Sequence, residues 1–338
     1  MRLADQDDTY YIVFAAGTTT IKDILGPAWR RMLVRRGGRP PAHVGVVTVA
    51  CEKAERLGLS GKLSDNHIVL PNDEKLQHTL AANLEAFPYW TKEDWARFVA
   101  RATETGSGNG GLPAKGRARI SLEQVAICKR IGALYTEAIE GEYRTVRFLN
   151  VVQTHSGTSR ASLVDIPMWV RRVVGDRTHC RCLLIDPLLD DSGELAGLAQ
   201  ARNAASAHAI VRRGMSDRPW LVHHGAKMKK VRGPLYEDVI PMASNFGTDG
   251  DARIRGFRRL PDLHAAAARL LEGILERTSA YDTFEDDLNN FSDSMTPTTV
   301  DGSVHHRRHH ALGEHRIYAN QARLEAWLRF VIVEQLRA

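Results

Sequence analysis

Three turns made of small and hydroxylated residues are the places where this chain could do chemistry. The first is Ala16-Gly17-Thr18-Thr19-Thr20. The second is the glycine-rich stretch 106–116, with Gly108, Asn109, Gly110 and Gly111 at its centre. The third is 154–160, which holds Ser156, Gly157, Thr158, Ser159 and Arg160. Each follows a strand or helix end and opens a helix. A turn in that position offers backbone amides at a helix N-terminus to an anion. Glycines let a phosphate approach the backbone closely, and the Ser and Thr hydroxyls add donors. Singly, each could be an ordinary turn or N-cap; the order and spacing of all three point to a phosphate-binding rim. Arg160 either pairs with a phosphate or fills the pocket.

Other residue groups invite a chemical reading. An acidic run holds Asp282, Glu285, Asp286 and Asp287, and a histidine cluster runs His305-His306-Arg307-Arg308-His309-His310. Imidazoles bind zinc, but the intervening arginines repel a cation and no acid or cysteine lies within a few residues, so no metal site is expected. His223-His224 follows an apolar strand and reads as structural. Cys51, Cys128, Cys180 and Cys182 fit no zinc spacing and read as small buried hydrophobes. The chain has no Gly-x-Ser-x-Gly elbow, no Gly-Lys-Ser/Thr phosphate loop and no His-Glu-x-x-His helix.

The elements that must position these turns alternate. Apolar runs at 10–15, 44–50, 145–152 and 180–185 read as strands buried on both faces. Helical patterns follow at 21–33, about 121–140, about 161–174, 195–213 and 261–277, with Pro27 resetting the start of the first. Further strands are expected near 219–224 and 237–242, and a last helix at about 320–337. Residues 281–310 read as a loop. Strands alternating with helices imply an α/β fold, a doubly wound and mostly parallel sheet. In domain terms, 1–260 forms the α/β unit, 261–280 a central helix and 281–338 a shortened C-terminal region.

Of 338 residues, 43% are hydrophobic and 25% charged, the ordinary globular balance. No run approaches the roughly 18 apolar residues of a membrane helix, and the start MRLADQDDTYYIVF lacks the pattern of a signal peptide. A cytoplasmic protein without a membrane partner is expected. The net charge of +6 rests on arginine pairs such as Arg171-Arg172 and Arg212-Arg213. They are scattered over helical patterns without interleaved aromatics, so they read as solvated faces rather than a nucleic-acid surface.

The three turns, in this order, resemble the FtsZ/tubulin superfamily. GSGNGGLPAKGR (106–117) is similar to the loop that faces the terminal phosphate in FtsZ, and THSGTSRA (154–161) is similar to the tubulin signature, with Gly157 and Thr158 kept. VRRVVGDR (170–177), RNAASAHAIVRRG (202–214) and RIYANQARLEAWL (316–328) resemble segments of large bacterial tubulin-like proteins. The resemblance implies GTP or GDP as ligand, with Mg2+ on the phosphates. It implies GTP hydrolysis completed by acids after the central helix, Asp286 and Asp287, through self-association in a cytoskeletal role. The motifs depart from the family's: only Gly17 stands at a family glycine in the first turn, and Cys51-Glu52 is the nearest match to the acidic residue expected for the ribose. A tubulin-like, guanine-nucleotide-binding protein is therefore the first expectation. A nucleotide-free scaffold that binds partner proteins is the alternative, and a dinucleotide-binding domain ranks last because Gly-x-Gly-x-x-Gly is missing.

Overall fold

A computed structural model describes residues 9–101, 113–175, 178–186, 198–215, 219–224, 227–243, 259–276, 298–300 and 303–305. In chain order the strands are β1 (Thr9–Ala16), β2 (Val44–Ala50), β3 (His67–Val69), β4 (Thr145–Gln153), β5 (His179–Asp186), β6 (Trp220–His224), β7 (Lys227–Val231), β8 (Asp238–Ala243), β9 (Thr298–Val300) and β10 (Ser303–His305). The α-helices are α1 (Gly26–Arg35), α2 (Lys62–Asp65), α3 (Asp73–Ala82), α4 (Lys92–Arg101), α5 (Pro113–Leu122), α6 (Gln124–Glu140), α7 (Gly157–Val174), α8 (Leu198–Gly214) and α9 (Leu260–Glu276).

Six strands form one sheet in the order β3-β2-β1-β4-β5-β8, and every neighbouring pair is parallel. Side chains alternate across a strand, and β1 shows the result. Tyr10, Ile12 and Phe14 enter one core, with α6, α7 and α8 packed over them. Tyr11, Val13 and Ala15 enter the other, beneath α1 and α9. Both faces are covered, so the central strands are mostly apolar, as expected for a doubly wound sheet. Between β1 and α1 the chain makes a π-helical turn (Thr20–Leu25) that runs without a break into α1, with helical backbone at Leu25 and Gly26, and Pro27 lies just past that junction.

Several expectations are corrected. The helix expected at about 121–140 is α6, Gln124–Glu140, and a separate helix, α5, precedes it from Pro113 to Leu122 with a break at Glu123. The glycine-rich loop therefore ends before Pro113, a residue preorganised for the first helical position. Helix α7 starts at Gly157 rather than 161, which puts 157–160 in its first turn. Strand β3 has three residues, too few for a pattern. Strand β7, KMKKV, is mostly charged because it pairs only with β6, outside the main sheet. Within the stretch read as a loop, β9 and β10 pair as antiparallel strands.

Helix α7 contains Pro167, which removes the hydrogen bond that the Leu163 carbonyl would accept. The Tyr236 hydroxyl supplies it, donating to the Leu163 carbonyl at 3.0 Å while accepting from Asn150 Nδ2 at 2.8 Å. Tyr236 is buried, so these groups have no water to fall back on. Tyr236→Phe is expected to lower the unfolding free energy by about 1–3 kcal/mol in urea titrations; an unchanged midpoint would show that Pro167 needs no such partner.

Candidate functional site

In an open parallel sheet the ligand crevice lies at the carboxyl ends of the strands, where the strand order reverses. Here that point falls between β1 and β4, which are neighbours. The first turn follows β1 and the third follows β4, so both arrive at the same rim. Their contact is close. Gly17 has φ +90°, and a Cβ there would lie 2.8 Å from Ser156 Oγ and 3.5 Å from Thr158 Cβ. Only glycine meets both demands, the left-handed backbone and the missing Cβ. Thr20 Oγ1 donates to Ser159 Oγ at 3.2 Å, and Ser159 Oγ also accepts from the Gln153 amide at 2.9 Å. Thr18 and Thr19 are half-buried beside them, and the Thr18 hydroxyl donates to Glu52 at the end of β2.

The middle of the second turn, Gly108, Asn109, Gly110 and Gly111, lies outside the described residues, as do Asp286 and Asp287 and the histidines after His305. The described end of that stretch does reach the rim. A Cβ on Gly116 would lie 2.5 Å from the Gly157 carbonyl oxygen, so α5 abuts the first turn of α7. Arg117 grips the buried Asp165 of α7 at 2.7 and 2.8 Å, and Lys115 pairs with Asp73 at 2.9 Å. Cys51, expected near a ribose, instead accepts from Arg119 Nη1 at 2.8 Å.

Ser156 caps α7, its Oγ accepting from the Ser159 amide at 3.3 Å. Four positions into the cap-initiated helix, Arg160 is 5% exposed. Its Nη1 donates to Asn203 of α8, to the carbonyl oxygen at 3.1 Å and to Oδ1 at 2.8 Å. It has no carboxylate partner among the described residues, and burial pushes its pKa down. A buried cation without a counter-charge is costly, and an anion would offset that cost.

Four buried polar atoms nearby also have no partner: Gln153 Oε1, Thr154 Oγ1 and His155 Nδ1 after β4, and Asp186 Oδ1 at the end of β5. The rest of each network is occupied. Gln153 Nε2 lies 2.9 Å from His264 Nε2, which must accept because an amide nitrogen only donates; the His264 proton then sits on Nδ1, 3.7 Å from Asp23. The other Asp186 oxygen meets His208, whose pKa that hydrogen bond raises. Gln153, His264, Asp186, His208 and Asn203 were not expected from sequence. An acid closing a strand, as Asp186 does, is the one local signal among them; the others meet only through the fold.

Two concavities among the described residues lie away from this rim, one on α1 and a larger one between α7 and the β6–β7 hairpin. His223 is buried there and structural, its Nε2 2.7 Å from Tyr89 Oη. Among the described residues no helix is long and apolar enough to cross a membrane, and no three His, Cys, Asp or Glu side chains are grouped to hold a metal ion. Comparison with models of known protein families and with curated proteins finds no match.

Burial pushes the His155 pKa down to about 4, helped by His264, and pushes His223 down to about 4 as well. A histidine with a folded pKa below its unfolded value takes up its proton first in the unfolded chain. Its contribution is complete above pH 6.5 and is lost on descent towards pH 4. His208, shifted the other way, contributes below pH 6.5 and fades as the pH rises. The unfolding free energy from urea titrations is therefore expected to fall as the pH drops from 6.5 to 4, by up to about 1.4 kcal/mol per pH unit for each of the two buried histidines. The double variant His155→Gln/His223→Gln should flatten that slope, and an identical slope in the variant would contradict the assignment.

Proposed function

We propose that the chain binds a nucleoside triphosphate at this rim, guanosine triphosphate in keeping with the FtsZ/tubulin resemblance. The observation that carries the reading is Arg160, a buried guanidinium without a counter-charge in the first turn of an 18-residue helix. The helix N-terminus, Ser156 and Thr158 add donors and a positive partial charge at the same place. The orphaned atoms of Gln153, Thr154, His155 and Asp186 suit the N–H and O–H donors of a base and a ribose. A magnesium ion, if bound, would be held mainly by the phosphates, supplying charge neutralisation. The chain's own groups would position the phosphates and stabilise their charge, which is the larger part of catalysis in phosphoryl transfer. Hydrolysis by way of Asp286 and Asp287 of a neighbouring copy belongs to the resemblance alone.

One observation favours the alternative, a nucleotide-free scaffold for partner proteins: Gly17 and Ser156 already touch, so the two turns are packed on one another. Calorimetry separates the readings. GTP should give saturable heat. Arg160→Met should weaken that binding by about tenfold or more, the value of a lost charge-assisted contact, without lowering the midpoint of the ligand-free protein, because it removes an uncompensated buried charge. No heat with GTP, GDP or ATP would leave the scaffold.

A further inference from the structure

The larger concavity, about 480 Å³, lies between the last turn of α7 and the β6–β7 hairpin. That volume is in the range of sites for small organic ligands. Its floor is carbon: Met168 and Trp169 of α7, and Val222 and Val231 of the hairpin. The floor is fixed, since Trp169 Nε1 donates to the His223 carbonyl at 2.8 Å. Its walls are cationic, with Arg171 and Arg172 on one side and Lys229 and Arg232 on the other, and no Asp or Glu lines it.

These cations are not equivalent. Arg171 pairs with Glu237, which also accepts from the Cys180 amide, so its charge is compensated. Arg172, Lys229 and Arg232 are exposed and form no ion pair among the described residues. Several cations elsewhere in the fold are matched, Arg31 and Arg35 with Glu272, Arg36 with Glu276 and Lys62 with Glu137; what sets the groove apart is that its cations flank one apolar floor with no carboxylate among its lining residues. Arg172 could be explained by the negative end of α7. That does not explain Lys229 or Arg232, which come from β7 and the turn after it. In the β6–β7 pairing Val222 faces Lys229 and His224 faces Lys227. Cross-strand partners share a face, so Lys227 stands on the groove side too.

We propose that this groove binds a small organic phosphate, with its apolar body on the Met168–Val222–Val231 floor and its phosphate between Arg172 and the Lys229–Arg232 wall. Guanidinium and ammonium groups converging from two elements suit one phosphate's several acceptor oxygens. The concavity suits a small ligand better than a nucleic-acid strand: Trp169, the one Phe, Tyr or Trp among its lining residues, is 1% exposed, and no row of exposed aromatic rings is present for successive bases. The site is independent of the rim, because its cations sit at the opposite end of α7 from Arg160.

Calorimetry on the full chain at low ionic strength, with phenyl phosphate as probe and inorganic phosphate as comparison, tests this. Phenyl phosphate should bind saturably and several-fold tighter than inorganic phosphate. Lys229→Glu should weaken it about tenfold or more, and Arg160→Met should leave it unchanged. Lys229→Gln, which cannot repel the ligand, should give a smaller loss in the same direction. It guards against a folding defect, as does an unchanged thermal midpoint in both variants. No saturable binding, equal affinity for the two probes, or full affinity in Lys229→Glu overturns the proposal. Loss in Arg160→Met alone would move the binding to the rim. An oligothymidylate that binds tighter than phenyl phosphate and loses affinity in Lys229→Glu would make the groove a nucleic-acid surface instead.

Discussion

The close approach of Gly17 to Ser156 is the constraint on which the rest of the site depends. It exists because β1 and β4 are neighbours while the chain winds outward from them in opposite directions. Each strand then delivers its following turn, and the helical segment that turn opens, to the same edge of the sheet. The contact leaves no room for a side chain at residue 17 and requires φ +90° there. Once the turns touch, Thr20, Ser159 and the Gln153 amide fall into one hydrogen-bonded set. Glu52 and Thr18 extend it towards β2.

Helix α7 links this edge to the rest of the molecule. Its first turn holds Ser156 and Arg160 at the rim, and its last turn holds Arg171 and Arg172 beside the hairpin. At a rise of about 1.5 Å per residue, the stretch from Arg160 to Arg172 separates the two cationic ends by roughly 18 Å. The middle of the helix is buried and carries Asp165, held by Arg117 and the His223 amide, and Pro167, whose freed carbonyl partner is met by Tyr236. The polar groups in the middle are matched by partners, as is Arg171, whereas Arg160 and Arg172 have no carboxylate partner among the described residues. At the rim the unmatched charge, Arg160, is buried and therefore destabilising unless an anion binds there, whereas Arg172 at the other end is exposed and solvated.

Much of the sheet was legible from sequence because its central strands are buried on both faces and are therefore mostly apolar. β1, β2, β4 and β5 lie within a residue or two of their expected bounds. β7 was not legible, because a hairpin outside the sheet can be lysine-rich, and neither was the break at Glu123, which interrupts no pattern. Within the site, Gly17 and Ser156–Ser159 were visible as small and hydroxylated residues in turns. Arg160 was visible as a departure, with its direction open; the fold turns it towards Asn203. The pairs Gln153–His264 and Thr18–Glu52 were hidden, being 111 and 34 residues apart in sequence. Residue type announces a turn, but only topology decides which distant side chain completes it.

Hydrogen–deuterium exchange of the full chain, with and without saturating GTP, addresses the rim most directly. A nucleotide held where the two turns meet should slow exchange at 17–20 and at 157–160 together. Slowing at neither segment, or only across 220–231, would contradict it.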